Sequence, residues 1–144
     1  MVNALNEQTF YTYDANGNML TMTDGRGYTT TYRYNVRNLL IETLDPGAEK
    51  TSEQYTYYAD GTIATKTDRN KKETKYRYDC FGRLVYESIG NQYKEYTYDK
   101  LGNILTANDN TSDITRVYDS LGRVTKKTVT GLGTTTGITT ETTT

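Results

Sequence analysis

The sequence predicts an all-β fold, an antiparallel meander of about six tandem β-hairpins forming a twisted, spiralling sheet. A tyrosine followed by a turn signal recurs six times at intervals of 20 to 23 residues, and such a period is the signature of a repeat architecture. Strand-favouring tyrosine is abundant, with 15 Tyr in 144 residues. No segment has the apolar periodicity of a helix. The anchor tyrosines are Tyr13, Tyr34, Tyr57, Tyr78, Tyr98 and Tyr118.

Each anchor tyrosine precedes a turn of the form Asp-x-x-Gly. The aspartate can accept backbone N–H groups two residues on, and the glycine supplies the positive φ that a three-residue hairpin loop requires. The second repeat has Asn38 in place of Gly, and Asn tolerates this geometry. The third has Tyr58 in place of Asp, so we expect a less well capped turn. The predicted turn residues are Asp14, Gly17, Asn38, Gly61, Asp79, Gly82, Asp99, Gly102, Asp119 and Gly122.

The second residue after each turn glycine is apolar in every repeat. We call these six residues the first column, and the six residues that directly follow them the second column. Neighbouring residues of a strand face opposite sides of the sheet, so the two columns cannot share a face. We expect the first column and the anchor tyrosines to form the core face, with the next column partly covering the other face. Besides the six anchor tyrosines, the predicted core consists of Met19, Leu40, Ile63, Leu84, Ile104 and Val124.

The chain is predicted to have three parts. Residues 1–10 form a lead-in strand or tag-like segment, residues 11–128 form the six hairpins, and residues 129–144 form a Gly/Thr-rich tail. The low complexity of the tail predicts flexibility. A single hairpin is only marginally stable, so the stacking of neighbouring hairpins has to supply the core.

The composition argues against most catalytic and metal chemistry. There is no histidine, which removes the commonest general base and metal ligand. The single cysteine, Cys80, excludes a disulfide within the chain and is expected to be a buried or half-buried small apolar residue. Asp109, Asn110 and Asp113 resemble a calcium loop only loosely, because the spacing and the closing Glu are missing. We predict no catalytic residue, no cofactor and no metal.

The charge pattern also limits the partners. A net charge of -1 provides no field that would attract nucleic acid, and no apolar run has the length of a membrane span. We therefore predict neither a nucleic-acid partner nor a membrane span. Recurrent arginines are expected to form cross-strand pairs with acidic residues on a solvated face; these are Arg33, Arg77, Arg83, Arg116 and Arg123.

The repeated motif resembles that of a known family. YDCFGRL (78–84) and YDSLGRV (118–124) are similar to the YD repeats of the rearrangement-hotspot (RHS) family, and TYDANGNML and TYDKLGNIL are similar to its Gly-Asn variant. The resemblance extends from residue 11 to about residue 127. It implies β-hairpins that spiral into a large hollow shell. Bacterial members are very large secreted, injected or cell-surface proteins, many of which enclose a C-terminal toxin domain, and the animal teneurins use a similar shell in cell adhesion.

The resemblance implies a structural segment of a larger secreted or cell-surface protein, part of a shell or of a self-associating fibre. The expected partners are flanking repeats, or other copies of the chain through sheet edges, together with glycans or an encapsulated toxin. Asp45-Pro46-Gly47 is superficially similar to the family's self-cleavage motif, but a turn explains it fully. The alternative function is a glycan-binding or adhesion module, because exposed rows of tyrosine rings could stack sugars.

Overall fold

The computed structural model describes residues 8–47, 51–131 and 139–141, the last of these by their backbone alone. Within these ranges the chain forms strands and turns and has no helix, so the predicted all-β fold is confirmed. The chain divides into two compact units, Met1–Glu73 and Thr74–Thr144.

The first unit is an antiparallel meander in which each strand pairs with the next along the chain. Its strands are β1 (Phe10–Tyr13), β2 (Met19–Thr23), β3 (Thr29–Tyr34), β4 (Leu40–Leu44), β5 (Ser52–Tyr57) and β6 (Ile63–Thr67).

The second unit, which begins within β7, has the same arrangement. Its strands are β7 (Glu73–Tyr78), β8 (Leu84–Ile89), β9 (Gln92–Tyr98), β10 (Ile104–Asp109), β11 (Ser112–Tyr118), β12 (Val124–Gly131) and β13 (Thr139–Glu141). The last strand lies in the segment that the composition predicts to be flexible, and it pairs with Lys127–Val129 of β12. The remainder of that predicted tail, 132–138 and 142–144, lies outside the described residues.

Each anchor tyrosine lies directly opposite the first-column residue of its own hairpin, as Tyr98 lies opposite Ile104. One step further the register shifts, because Thr97 pairs with Thr106 and leaves Leu105 without a partner. This β-bulge recurs in every hairpin, at Leu20, Ile41, Ala64, Val85, Leu105 and Thr125. A bulge adds one residue to one strand and bends it. The second apolar column therefore belongs to a bulge, which simple strand alternation did not predict.

The anchor turns, meaning the turns that follow the anchor tyrosines, share one backbone geometry. In the first, the Asp14 N–H donates to the Asn18 carbonyl (2.9 Å) and the Gly17 N–H donates to the Asp14 carbonyl (3.1 Å). Gly17 has φ 87° and Asn38, its counterpart in the second hairpin, has φ 59°. The same two bonds close the anchor turns that begin at Asn35, Tyr58, Asp79, Asp99 and Asp119.

Two of the linker turns, which connect one hairpin to the next, have the same geometry. The Gly27 N–H donates to the Asp24 carbonyl (2.9 Å), and the Lys71 N–H donates to the Asp68 carbonyl (3.0 Å). Gly27 has φ 84°, and Lys71 has φ 63° although it carries a side chain. The likeness of these linker turns to the anchor turns is a finding of the structure.

The core prediction needs a correction. The register does place the anchor tyrosines and the first column on one face, but no apolar side chain among the described residues is buried, and Ser52 is the only buried residue there (5% exposed). Ten of the twelve predicted core residues are half-buried, while Tyr13 (58%) and Val124 (38%) are exposed. The reason is that a side chain on a sheet face is covered here only by its neighbours on that face. Cys80 is likewise exposed, because it occupies the outer part of an anchor turn.

Replacing Lys71 by glycine is expected to stabilise the protein. A residue with a Cβ in the left-handed region costs roughly 1 kcal/mol relative to glycine, and the φ of Lys71 lies in that region. Lys71→Gly should therefore raise the free energy of unfolding by about 1 kcal/mol in urea titrations. Lys72→Gly is the matched control, because no positive φ occurs there. A gain from Lys72→Gly equal to that from Lys71→Gly would contradict this account.

Candidate functional site

The contacts that join one hairpin to the next are the candidate functional site. No group of His, Cys, Asp and Glu side chains in the described ranges could hold a metal ion. The part of the chain that the structure describes also has no helix that is long and apolar enough to cross a membrane. The most extensive side-chain networks lie at the two rows of turns.

In four of the six anchor turns, the side chain of the residue that follows the glycine completes the cap. Oδ1 of Asp99 accepts the N–H groups of Leu101 and Asn103 (2.8 Å each), and Oδ2 accepts Nδ2 of Asn103 (2.8 Å). In the Asp79 turn, Nε of Arg83 takes the place of that amide (2.7 Å). Sequence analysis missed this role of Asn18, Arg83, Asn103 and Arg123. The recurrence of Asn or Arg after the glycine was the signal that could have revealed it.

These hydrogen bonds hold the turn carboxylates in their ionised form. The Asn103 side chain lowers the pKa of Asp99, and the Asn18 side chain lowers that of Asp14. Backbone and side-chain bonds from Arg123 lower the pKa of Asp119. The pKa of Asp79 is also lowered, because its hydrogen bonds outweigh the opposing effect of desolvation.

The third anchor turn compensates for its missing aspartate. Asp60, two residues later, accepts the N–H (2.9 Å) and the hydroxyl (2.7 Å) of Thr62, and these bonds lower its pKa. The carboxylate receives one backbone N–H where Asp14 receives two. The turn that starts at Tyr58 is thus capped differently from its neighbours.

Side chains of one anchor turn bind the next anchor turn. In the second unit, Nη1 of Arg83 donates to the Asp99 carbonyl (2.9 Å), while its guanidinium lies 4.6 Å from the centre of the Tyr98 ring. Its Nε meanwhile stays on Asp79. One arginine thereby links two consecutive hairpins through an ion pair, a backbone hydrogen bond and a cation–π contact.

In the first unit other residues make the equivalent links. Nδ2 of Asn18 donates to Oδ1 of Asn38 (2.8 Å). Arg37 then donates from Nη1 to the Ala59 carbonyl (2.6 Å) and from Nη2 to the Tyr58 carbonyl (3.0 Å). The chemistry differs from that of Arg83, but the result is again a bond from one anchor turn to the next.

The anchor tyrosines also join neighbouring hairpins. The Tyr57 hydroxyl donates to the Leu40 carbonyl (2.5 Å), that of Tyr98 to Leu84 (2.6 Å) and that of Tyr118 to Ile104 (2.7 Å). In each case the carbonyl belongs to the first-column residue of the preceding hairpin. The ladder between adjacent hairpins does not extend to these residues, since β4 and β5 pair only from Glu42 to Leu44. The hydroxyl thus replaces a missing ladder bond, which phenylalanine could not do.

The linker turns form a second bonded row. Oδ1 of Asn110 accepts the Tyr93 N–H (2.7 Å) and its Nδ2 donates to the Asn91 carbonyl (2.8 Å). The neighbouring Asp109 accepts the hydroxyl and the N–H of Thr111. These bonds and those from Ser112 lower the pKa of Asp109 to about 2. Two of the three residues that resemble a calcium loop, Asp109 and Asn110, are therefore engaged in turn hydrogen bonds.

In the first unit, Arg69 connects two linker segments. It forms ion pairs with Asp45 and with Glu53, the latter at 2.8 Å between Nη1 and Oε1. Glu53 also accepts the Tyr55 hydroxyl (2.8 Å). Desolvation and this carboxylate raise the pKa of Tyr55 to about 12.

The recurrent arginines serve several purposes instead of one. Arg33 forms the expected cross-strand pair with Glu42 (2.8 Å), and Arg77 lies 4.0 Å from the centre of the Tyr86 ring. Arg83 and Arg123 pair with the aspartates of their own turns. Arg116 leaves a buried Nη1 for which the described residues supply no hydrogen-bond partner. The predicted cross-strand pairing with acids is therefore corrected for all of these except Arg33.

Removing the Tyr98 hydroxyl is expected to weaken the junction between the fourth and fifth hairpins. Tyr98→Phe leaves the Leu84 carbonyl without its donor, and the loss of such a bond costs about 1 kcal/mol. Urea unfolding should show this decrease. Tyr13→Phe is the control at the same hairpin position, because Tyr13 is 58% exposed, and it should change the free energy of unfolding by less than about 0.5 kcal/mol. Equal effects of the two substitutions would contradict the assigned role of the hydroxyl.

Family models match most of the repeat region. An RHS Repeat model matches residues 13–50, and a Teneurin YD-shell model matches residues 65–130. No curated protein sequence matches the chain.

Solved structures with the same fold belong to toxin complexes. The chain is 25% identical to a chain in the crystal structure of TcdB2-TccC3-Cdc42, with a TM-score of 0.72, over 83% of this chain and 7% of that one. Identity, coverage and TM-score are the same for a chain in the structure of the Photorhabdus luminescens Tc holotoxin pore. The chain thus spans only a small part of the solved chains that it resembles.

The hairpins, their tyrosine links and their capped turns are therefore the structure of a shell repeat. With both family models matched along the chain, this chain belongs to the RHS/YD-repeat family.

Proposed function

We propose that the chain is a wall segment of a larger secreted or cell-surface protein, in which flanking repeats continue the sheet at both ends. Three findings support this proposal. The chain is built of shell repeats, and it covers 7% of the solved chains that it resembles. Among the described residues, Tyr13 and Arg123 of the terminal hairpins also lack the contacts to a neighbouring hairpin that Tyr98 and Arg83 make.

The observation that carries the proposal is the contrast between Arg83 and Arg123. Both follow the glycine of an anchor turn, and both bind the aspartate of that turn through Nε at 2.7 Å. The Arg83 side chain is 28% exposed and also bonds the next turn at Asp99. The Arg123 side chain is 74% exposed. Arg123 is thus in the conformation of a linking arginine, and a further anchor turn would give it the partner that Arg83 has.

The first hairpin has a matching exposed surface. In β1, Phe10, Tyr11 and Tyr13 are 60%, 42% and 58% exposed, whereas Tyr96 and Tyr98, which correspond to Tyr11 and Tyr13, are half-buried. A preceding hairpin that packs on β1 would cover this surface, and its first-column carbonyl would accept the Tyr13 hydroxyl. The edge of β1 would also pair with it, because unpaired strand edges favour association with further strands.

We extend the proposal to the enclosure of a toxin by the complete shell. The support is the similarity to chains of a Tc holotoxin pore together with the match to a YD-shell model. In this role the chain supplies structure and no chemistry, and its repeat fold fits a non-catalytic part.

A glycan-binding role has less support. The hydroxyls of Tyr57, Tyr98 and Tyr118 are occupied by backbone carbonyls, so they are not free to bind sugar hydroxyl groups. The junctions between hairpins account for three of the six anchor tyrosines.

Extending the chain by one hairpin tests the wall-segment proposal. Residues 130–144 are replaced by a copy of residues 90–109, which then follows Val129 as the original follows Ile89. The register of β8 with β9 should be reproduced between β12 and the copied strand. We expect the free energy of unfolding in urea to rise by about 2 kcal/mol, because the copied hairpin forms more cross-strand pairs than the three pairs with β13 that it replaces.

The matched control carries the same extension with three changes in the copy, at the positions equivalent to Tyr98→Phe, Asp99→Ala and Gly102→Ala. These remove the tyrosine link and the capped turn but keep the length. We expect little or no gain in stability from this control. If the intact and the altered extensions gave the same stability, the terminal hairpin would not be a docking site for a further repeat.

A further inference from the structure

Three consecutive anchor turns display large apolar side chains in solvent. Phe81, Leu101 and Leu121 each precede the turn glycine, and they are 80%, 79% and 75% exposed. We call these three residues the apolar tip row. They lie in one unit of the protein and in successive hairpins of one sheet, so the tips recur about every 10 Å, which is two strand spacings.

The turn geometry does not require apolar residues at these positions. The equivalent residues of the first three anchor turns are Asn16, Arg37 and Asp60, and those turns are closed by the same backbone bonds. The Arg83 guanidinium lies 5.2 Å from the centre of the Phe81 ring, but all three side chains are mostly exposed, so contact with the rest of the chain explains little of their apolar character. A group of large exposed apolar side chains along one edge of a sheet can mark an interaction site.

We propose that the apolar tip row docks against the same row of a second copy of this chain. The size of the row favours such a partner. Three tips offer on the order of 400 Å² of apolar surface, which is about half of what one partner buries in a standard interface. A partner without the same spacing would contact one or two tips and gain too little. A second copy presents apolar side chains at the same interval and can contact all three at once.

The charges around the row permit this pairing. Its three aspartates are balanced by three cations, and the whole chain has a net charge of -1, so two copies do not repel one another strongly. Two of the cations are tied to aspartates of their own turns at 2.7 Å. The charged residues of the row are Asp79, Arg83, Asp99, Lys100, Asp119 and Arg123.

This surface is separate from the strand ends on which the proposed function depends. The tips lie at the turn edge of the sheet, whereas flanking repeats would pack on β1 and, in place of β13, on β12. Two copies that meet through their tips would join the turn edges of their sheets. In a longer array of such repeats, each further hairpin would add one more contact of this kind.

Sedimentation velocity over a range of protein concentrations tests the inference. We expect the unaltered chain to associate weakly and reversibly. The triple variant Phe81→Asn, Leu101→Asn and Leu121→Asn should weaken this association by at least about tenfold, since each lost 1.4 kcal/mol of contact is a factor of ten. Asparagine suits the position because Asn16 occupies it in the first hairpin, and circular dichroism of the variant should show an unchanged sheet.

The control is Val36→Asn, which removes a fully exposed apolar side chain from an anchor turn outside the row. It should leave the association unchanged. Three outcomes would overturn the inference: an unaltered chain that is monomeric at every concentration, a triple variant that associates as strongly as the unaltered chain, or a loss of association with Val36→Asn equal to that of the triple variant.

Discussion

The hydrogen bond from an anchor tyrosine to the preceding hairpin is the interaction on which this structure depends. Adjacent hairpins lose their backbone ladder before they reach the anchor turns, and the hydroxyls of Tyr57, Tyr98 and Tyr118 bridge the gap. The links made by Arg37 and Arg83 act at two of the same junctions, and the Asn18–Asn38 bond joins the first two hairpins. The sheet is therefore held together along its turn edge by side chains as well as along its strands by the backbone.

This construction explains how a chain with no buried apolar residue in its described parts can have an ordered fold. A two-stranded hairpin buries too little surface to be stable alone. Stability in such repeat arrays comes from each unit and from its interfaces with its nearest neighbours. An exposed Tyr13 and an exposed Arg123 are what this principle predicts for hairpins that have a described hairpin on one side only. A capped anchor turn positions both the tyrosine that precedes it and the linking side chain that follows its glycine, which is why the aspartate and the glycine accompany the tyrosine.

The sequence predicted the strands and turns well because their causes are local. The aspartate and glycine of each turn determine its geometry within a few residues, and the period of the anchor tyrosines sets the order of the hairpins. The bulge at Leu105 and its counterparts was not predicted, since it depends on pairing across two strands. The link from Arg83 to Asp99 depends on the contact between hairpins, which no local pattern encodes. The partial exposure of the predicted core residues was missed for a similar reason. The apolar columns show which side chains share a face of the sheet, but they do not show what covers that face.

Native-state amide hydrogen exchange tests the central claim that hairpins are stabilised by their neighbours. Within the first unit, the account predicts that amides of the β1–β2 hairpin exchange through openings of lower free energy than those of the β3–β4 hairpin, which has hairpins on both sides. Such differences between regions are resolved by exchange at increasing denaturant. Equal or stronger protection of β1–β2 would contradict the account and would show that each hairpin is stable without its neighbours.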